Sequence, residues 1–196
     1  MDLVKITKKK YPIEIDLLYA TKKNFTGKQI YKKKDCYLHK VAIPFFEKSV
    51  ELATKLNLKL KIFDAFRPTE AQWKLWKHTP DENFIAHPKK GSPHSRGVAI
   101  DLTLTNKKFK ELNMGTPFDN FTKESFHGNV TIIKEFQENR RVLLGIMSAA
   151  GWDFYKKEWW HYQLFNAKKY KLIKNHEKQY SSNTKSLIIQ PKYLKI

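Results

Sequence analysis

The sequence predicts an α+β fold: one domain with a central, mostly antiparallel sheet flanked by helices. Apolar residues recur at both helical and strand spacing. The segments they mark come mixed, without the regular strand–helix alternation of a parallel sheet. Size agrees, because 196 residues, 41% hydrophobic and 14% aromatic, suit one domain with a real core and argue against a disordered chain.

Residues 38–56 place Leu38, Val41, Phe45, Leu52 and Leu56 at helical spacing, with Pro44 either kinking the helix or marking its start. Leu58, Leu60 and Ile62 alternate with lysines, which predicts a half-buried strand running into Phe63-Asp64-Ala65-Phe66 and broken by Arg67-Pro68. Thr69 and Gln72 have capping-box spacing for a short helix through Trp73 and Trp76. Pro80, Pro88 and Gly91 punctuate a loop over residues 79–91. Val98, Ile100, Leu102 and Leu104 alternate with Ala99, Asp101 and Thr103, a strand with one apolar face and Asp101 on the other.

After a loop-rich stretch over 113–129, residues 131–150 read as a long core helix. Phe136, Leu143, Leu144 and Met147 point inward, and Gly151 is its stop. Residues 152–165 are aromatic and alternating, a hairpin that turns at Lys156-Lys157. The domain is therefore expected over 1–165. A Lys-rich extension over 166–196, with an apolar run at 187–189, either packs on the domain as an edge or stays mobile.

Basic residues number 38 against 19 acidic ones, a formal net charge of +19. Lysines are scattered along the whole chain, only four residues are Arg, and no nucleic-acid motif groups them with aromatics. A solvated surface is expected, with no nucleic-acid partner. The lone Cys36 excludes an intrachain disulfide and a Cys-rich zinc site, and is expected to be a small buried hydrophobe. No run approaches transmembrane length and no signal-peptide core follows Lys8-Lys9-Lys10, so a cytoplasmic protein is the expectation, of no particular oligomeric state.

Three stretches carry chemistry. In Ser92-Pro93-His94-Ser95-Arg96-Gly97-Val98-Ala99-Ile100-Asp101, a loop His precedes an Asp on the polar side of a strand. A carboxylate beside a sheet needs a partner or a metal, and zinc accepts both imidazole and carboxylate. Taken alone, the same pair fits ordinary turn residues. Glu158-Trp159-Trp160-His161 offers a second imidazole and a carboxylate that could serve as a base beside it. Residues three apart face opposite sides of an ideal strand, so this segment has to bend near Glu158, or else it is a Trp-rich core hairpin with both groups exposed. Arg67, at the end of Asp64-Ala65-Phe66-Arg67-Pro68, either stabilises an oxyanion or forms a structural ion pair with Asp64.

Together these stretches resemble the D-alanyl-D-alanine dipeptidase family, zinc peptidases related to the D,D-carboxypeptidases and to the hedgehog signalling domain. The matching text also includes Tyr19-Ala20-Thr21, Asn24-Phe25-Thr26-Gly27, Leu102-Thr103-Leu104, Met114-Gly115-Thr116-Pro117-Phe118-Asp119, Asn139-Arg140-Arg141 and Tyr162. The blocks follow the family's order over roughly residues 17–165, about one domain's length.

The resemblance implies a hedgehog/DD-peptidase-like fold and one Zn2+ per chain, bound by His94, Asp101 and His161. Glu158 is then the general base and later proton donor, and Arg67 stabilises the tetrahedral intermediate. Tyr19, Ser92 and Asp119 surround the free amino group of a small dipeptide substrate, and a carboxylate such as Asp119 suits an ammonium. The implied reaction is hydrolysis of D-alanyl-D-alanine, or a similar dipeptide, to free amino acids, in a cell-wall peptidoglycan context. The rivals are a D,D- or L,D-carboxypeptidase acting on larger peptidoglycan peptides and a non-catalytic zinc-containing binding module. The short loop between Trp76 and Gly91 is expected to open or reshape the pocket. His39, His78, His87, His127 and His176 are expected on the surface or behind the ligands.

Overall fold

The computed structural model describes residues 2–32 and 34–173, so His176 and the apolar run at 187–189 lie outside the described residues. Seven strands and three α-helices occur among them. They are β1 (Leu3–Ile6), β2 (Glu14–Ile15), β3 (Cys36–His39), α1 (Ile43–Lys55), β4 (Lys59–Asp64), α2 (Thr69–His78), β5 (Ala99–Thr105), α3 (Lys134–Ala149), β6 (Asp153–Phe154) and β7 (His161–Gln163). Five strands form one sheet in the order β2-β4-β5-β7-β6, and only the β2–β4 pair is parallel. A separate antiparallel ribbon joins β1 to β3. The α+β expectation is borne out.

Helices α1 and α3 pack on each other, α1 also on β4 and α3 on β5 and β6. Leu60, Ile62, Ile100, Leu102 and Leu104 are fully buried, and the register aligns Leu60 with Leu104 and Ile62 with Leu102. Phe46 of α1 and Leu143 and Met147 of α3 are fully buried as well. Apolar burial of this kind contributes about 1.5–3 kcal/mol per large side chain, which anchors the centre of β5 in the core.

Several elements differ from their sequence signals. Leu38 belongs to β3 and Val41 to a 3-10 turn; the helix begins at Ile43, and Pro44 sits in its first turn, where no N–H is needed. The capping box at Thr69 does not form: Pro68 is the N-cap, the Thr69 hydroxyl has no hydrogen-bond partner, and the Gln72 side chain reaches the carbonyl of Ala86 instead. All seven residues of β5 are buried, its polar face included. Helix α3 starts at Lys134; Leu143 and Met147 are inward, joined by Ile146, while Phe136 and Leu144 are half-buried. Gly151 follows α3 with φ +93°, the left-handed turn expected of a helix stop. Strands β1 to β3 were invisible because two to four residues are too few to show a period.

Cys36 is buried in β3, as expected. The first residues of the Lys-rich extension lie against the loop before β5. Arg96 donates to the carbonyl of Tyr170, and the N–H of Ile173 donates to the carbonyl of Ser95 at 3.0 Å.

Candidate active site

Strand register builds the core of the site. Asp101 of β5 stands opposite His161 of β7 on one side and Asp64 of β4 on the other, so three polar groups form a row on one face of the sheet. For Asp64 this depends on a bulge. Ile62 pairs with Leu102, and uninterrupted pairing would set Phe63 opposite Asp101 and turn Asp64 toward the apolar face. One extra residue in β4 reverses that, and Asp64 joins Asp101.

His94 reaches the row from a 3-10 turn, His94–Arg96, that ends on Gly97 at φ +69°. A Cβ at Gly97 would stand 3.0 Å from the backbone nitrogen of His39, so a residue without one lets the loop pass close to β3. The His94 ring donates from Nδ1 to the carbonyl of Ala65 at 2.6 Å, and His161 donates from Nε2 to Gln163 Oε1 at 3.1 Å. Each ring therefore turns its other nitrogen inward. His94 Nε2 and His161 Nδ1 stand 3.2 Å apart, and the Asp101 carboxylate lies 3.3 Å from the first and 3.0 Å from the second.

Two nitrogen lone pairs and a carboxylate meeting at one buried point require a positive charge between them. The two Asp101 distances run to different oxygens, Oδ2 for His94 and Oδ1 for His161, and one ligand atom from each of the three residues lies within 4.8 Å of the others. The three residues fit a metal ion. The same demand appears in the titration: burial alone would raise the Asp101 carboxyl, yet the His94 and His161 imidazoles hold it well below the usual carboxylate range. Burial would lower His161, and Asp101 outweighs it and raises it. A proton and a metal compete for one place.

Glu158 lies in the turn between β6 and β7, which bends as the sequence required: the N–H of His161 donates to the carbonyl of Glu158 at 3.3 Å. The carboxylate comes within 3.9 Å of His161 Nδ1. Burial, with the Asp101 charge adding to it, pushes its pKa up to about 8.

Arg67 is buried and donates to Asp64 Oδ2 from Nε at 2.8 Å and from Nη2 at 2.6 Å, while Nη1 donates to Gln72 at 3.0 Å. Its guanidinium also lies 3.5 Å from Asp101 and over the Tyr19 ring at 4.9 Å. Burial opposes its charge, but Asp64 outweighs that and keeps it cationic. The structural ion pair with Asp64 and the position facing Asp101 thus coexist. Asp64 is held in turn by the Tyr31 hydroxyl at 2.6 Å.

Asp119 faces this cluster from the 113–129 loop, in a left-handed conformation at φ +60°. Its Oδ1 accepts from the Tyr19 hydroxyl at 3.1 Å, whereas the buried Oδ2 has no partner. Burial and the Asp101 charge raise its pKa well above the ordinary value. An unpartnered carboxylate oxygen in such a place is a receptor for a cation or a donor. Ser92 is buried, and its hydroxyl accepts from the N–H of His94 at 3.2 Å.

All eight residues singled out in the sequence line one cavity of about 220 Å³. The loop after α2 forms one wall of it, through residues 82–86. Tyr155 donates its hydroxyl to the carbonyl of Asn83 at 2.9 Å, Lys157 donates to Asn83 Oδ1 at 2.6 Å, and Phe84 stacks on Phe121 at 4.9 Å. These contacts tie the loop across part of the cavity, so the short loop shapes its rim. Sequence reasoning missed Gln163, Tyr31 and this wall. Only Gln163, two positions after His161 on one strand, left a readable signal. Of the other described histidines, none lines the cavity.

Comparison with known proteins agrees with this geometry. The family model of the M15 peptidases, described as D-ala-D-ala dipeptidase, matches residues 1–183. The D-alanyl-D-alanine dipeptidase of Escherichia coli (strain K12) is 41% identical over 161 residues, 82% of this chain and 83% of that protein. The enzyme of the same name from Enterococcus faecium is 34% identical over 174 residues, covering 76% and 84%. The bifunctional D-Ala-D-Ala dipeptidase and D-Ala-D-Ala carboxypeptidase VanXYC of Enterococcus gallinarum is 27% identical over 152 residues, covering 73% and 79%.

Proposed function

This chain belongs to the D-ala-D-ala dipeptidase family of peptidases, and from that premise we propose that it hydrolyses D-alanyl-D-alanine, or a similar dipeptide, to free amino acids. One observation carries the reading: an unpartnered buried carboxylate oxygen, Asp119 Oδ2, shares a cavity of about 220 Å³ with the His94, Asp101 and His161 cluster. A dipeptide is a small zwitterion whose ammonium lies a few bonds from the scissile carbonyl. Asp119, with Tyr19 and Ser92 beside it, is placed for that ammonium.

His94, Asp101 and His161 would hold one zinc ion per chain. When bound, zinc polarises a carbonyl and activates water at neutral pH. Glu158, near His161, takes the proton from the attacking water and returns it to the leaving amine. Arg67 stabilises the negative charge that develops on the carbonyl oxygen, pre-set for it by Asp64 and Gln72.

The small volume suits a dipeptide. A cavity of about 220 Å³ is smaller than the roughly 300–1,000 Å³ of clefts that take drug-sized ligands. A silent binding module has no use for the Glu158 and Arg67 side chains, since three ligands suffice for zinc.

The test is release of free D-alanine from D-alanyl-D-alanine by purified protein, with and without a zinc chelator, and in parallel from a stem pentapeptide. Chelator-sensitive release from the dipeptide alone is expected. Preference for the pentapeptide would transfer the reading to a carboxypeptidase. Glu158→Ala is expected to lower kcat by at least about 10³-fold with zinc still bound; retained turnover would remove Glu158 from its role.

A further inference from the structure

Asp119 and Glu158 sit on different segments, the 113–129 loop and the turn between β6 and β7. A single hydroxyl joins the two. Thr116 Oγ1 accepts from Trp159 Nε1 at 2.9 Å and from Arg140 Nη2 at 3.2 Å, and it pairs with Ser125 Oγ at 2.9 Å. Ser125 Oγ in turn donates to the carbonyl of Asn120 at 2.6 Å. A hydroxyl has two acceptor sites and one proton, so two donors and one acceptor use Thr116 completely and fix the direction of the chain. Trp159 adjoins Glu158, and Asp119 lies between Thr116 and Asn120. The backbones are also tied, since Trp159 N–H donates to Ser125 O at 3.0 Å and His127 N–H to Lys156 O at 2.9 Å.

Arg140 anchors this network from α3. It is buried, and its remaining hydrogen bonds all go to loop carbonyls: Met114 at 2.6 Å, Glu124 at 2.7 Å and Phe126 at 3.3 Å. A buried guanidinium normally has a carboxylate for company, yet no salt bridge of Arg140 occurs among the described residues. Burial pushes it down only to about 10, so it is charged at neutral pH. Four hydrogen bonds of the side chain, from all three of its nitrogens, hold one loop against α3.

We propose that Arg140, acting through Thr116, is a positioning residue for both halves of the reaction, setting Asp119 against the substrate ammonium and Glu158 against the scissile bond as one unit. This rests on the roles given to Asp119 and Glu158 above. Its consequence is that substrate binding and turnover share a determinant that touches neither substrate nor metal.

The experiment uses the full, zinc-loaded chain and D-alanyl-D-alanine. Thr116→Val removes the shared hydroxyl at nearly constant shape, Arg140→Met removes the anchor, and Arg140→Lys restores charge without the planar fork. At one zinc per chain, Thr116→Val and Arg140→Met are expected to raise KM and to lower kcat, each by about 10-fold or more, as displaced supporting groups do. Arg140→Lys is expected to recover part of both. Folded, zinc-loaded variants with kcat and KM unchanged would overturn the proposal however far their melting points fell. A change in kcat or KM alone would overturn the coupling. Should Arg140→Met fail to fold, Thr116→Val decides. Asp119→Asn and Glu158→Ala run alongside: if they lose activity while Thr116→Val keeps it, only this inference fails. If they keep activity, the underlying reading fails and this inference with it.

Discussion

Gln163 shows how much of a candidate metal site is decided by residues outside its three possible ligands. Its Oε1 accepts from His161 Nε2 at 3.1 Å, which commits Nδ1 to the cluster, as the carbonyl of Ala65 does for His94 Nε2. Gln163→Leu is expected to weaken zinc binding by about 10–100-fold, read by competition with a chromogenic chelator. Unchanged affinity would mean that strand geometry alone orients the ring. Asp119 is the counterpart on the substrate side: one oxygen is anchored by Tyr19, and the other is buried without a partner. Chemistry of this kind was readable from residue types, since imidazoles, carboxylates and a guanidinium have few uses in combination. Their partners were not, because Gln, Tyr and Asn occur everywhere.

At the scale of elements, two irregularities bring the site together. The extra residue in β4 rotates Asp64 onto the face of Asp101, and the left-handed Gly97 lets the His94 turn run straight into β5. Gly97→Ala is expected to destabilise the fold by about 1–3 kcal/mol, measured by denaturant titration. Its φ of +69° is costly for any side chain, and the added Cβ would press on His39 N and Leu3 at 3.0 Å. A stability loss under a few tenths of a kcal/mol would show that the loop relaxes freely. Period-2 alternation located β4 and β5 correctly, because long strands under a core repeat their pattern often enough to be read. The bulge between Ile62 and Asp64 left no such trace: a one-residue shift has no composition of its own.

At the scale of the whole molecule, the 113–129 loop packs against the turn between β6 and β7. Among the described residues no helix is long and apolar enough to cross a membrane. His127 reports on that packing. Burial, aided by the Arg140 charge, lowers its pKa to about 4 from an ordinary 6.5, and Nε2 has no partner. Between those values the unfolded chain binds the extra proton, so stability rises with pH from 4 to 6.5 and is lost as acid is added. The loss reaches about 2–3 kcal/mol near pH 4. Urea unfolding of the chelated chain from pH 4 to 7 is expected to show a shallower acid slope for His127→Gln than for the parent. Equal slopes would assign the acid sensitivity to other groups.

The sequence by itself determined the α+β class, the strand carrying Asp101 and the stop at Gly151, through local periodicity and turn chemistry. His94, Asp101, His161, Glu158 and Arg67 stood out by residue type in short motifs, whereas Tyr19, Ser92 and Asp119 came only with the family resemblance. Tertiary structure alone decided that those eight residues converge, that Asp64 faces Asp101, that Gln72 serves Arg67 and Ala86 rather than a helix cap, and that residues 82–86 line the cavity. These depend on register and on contacts between segments tens of residues apart. Hydrogen-bond partners at that distance are chosen by packing, which satisfies buried polar groups with whatever the fold brings near.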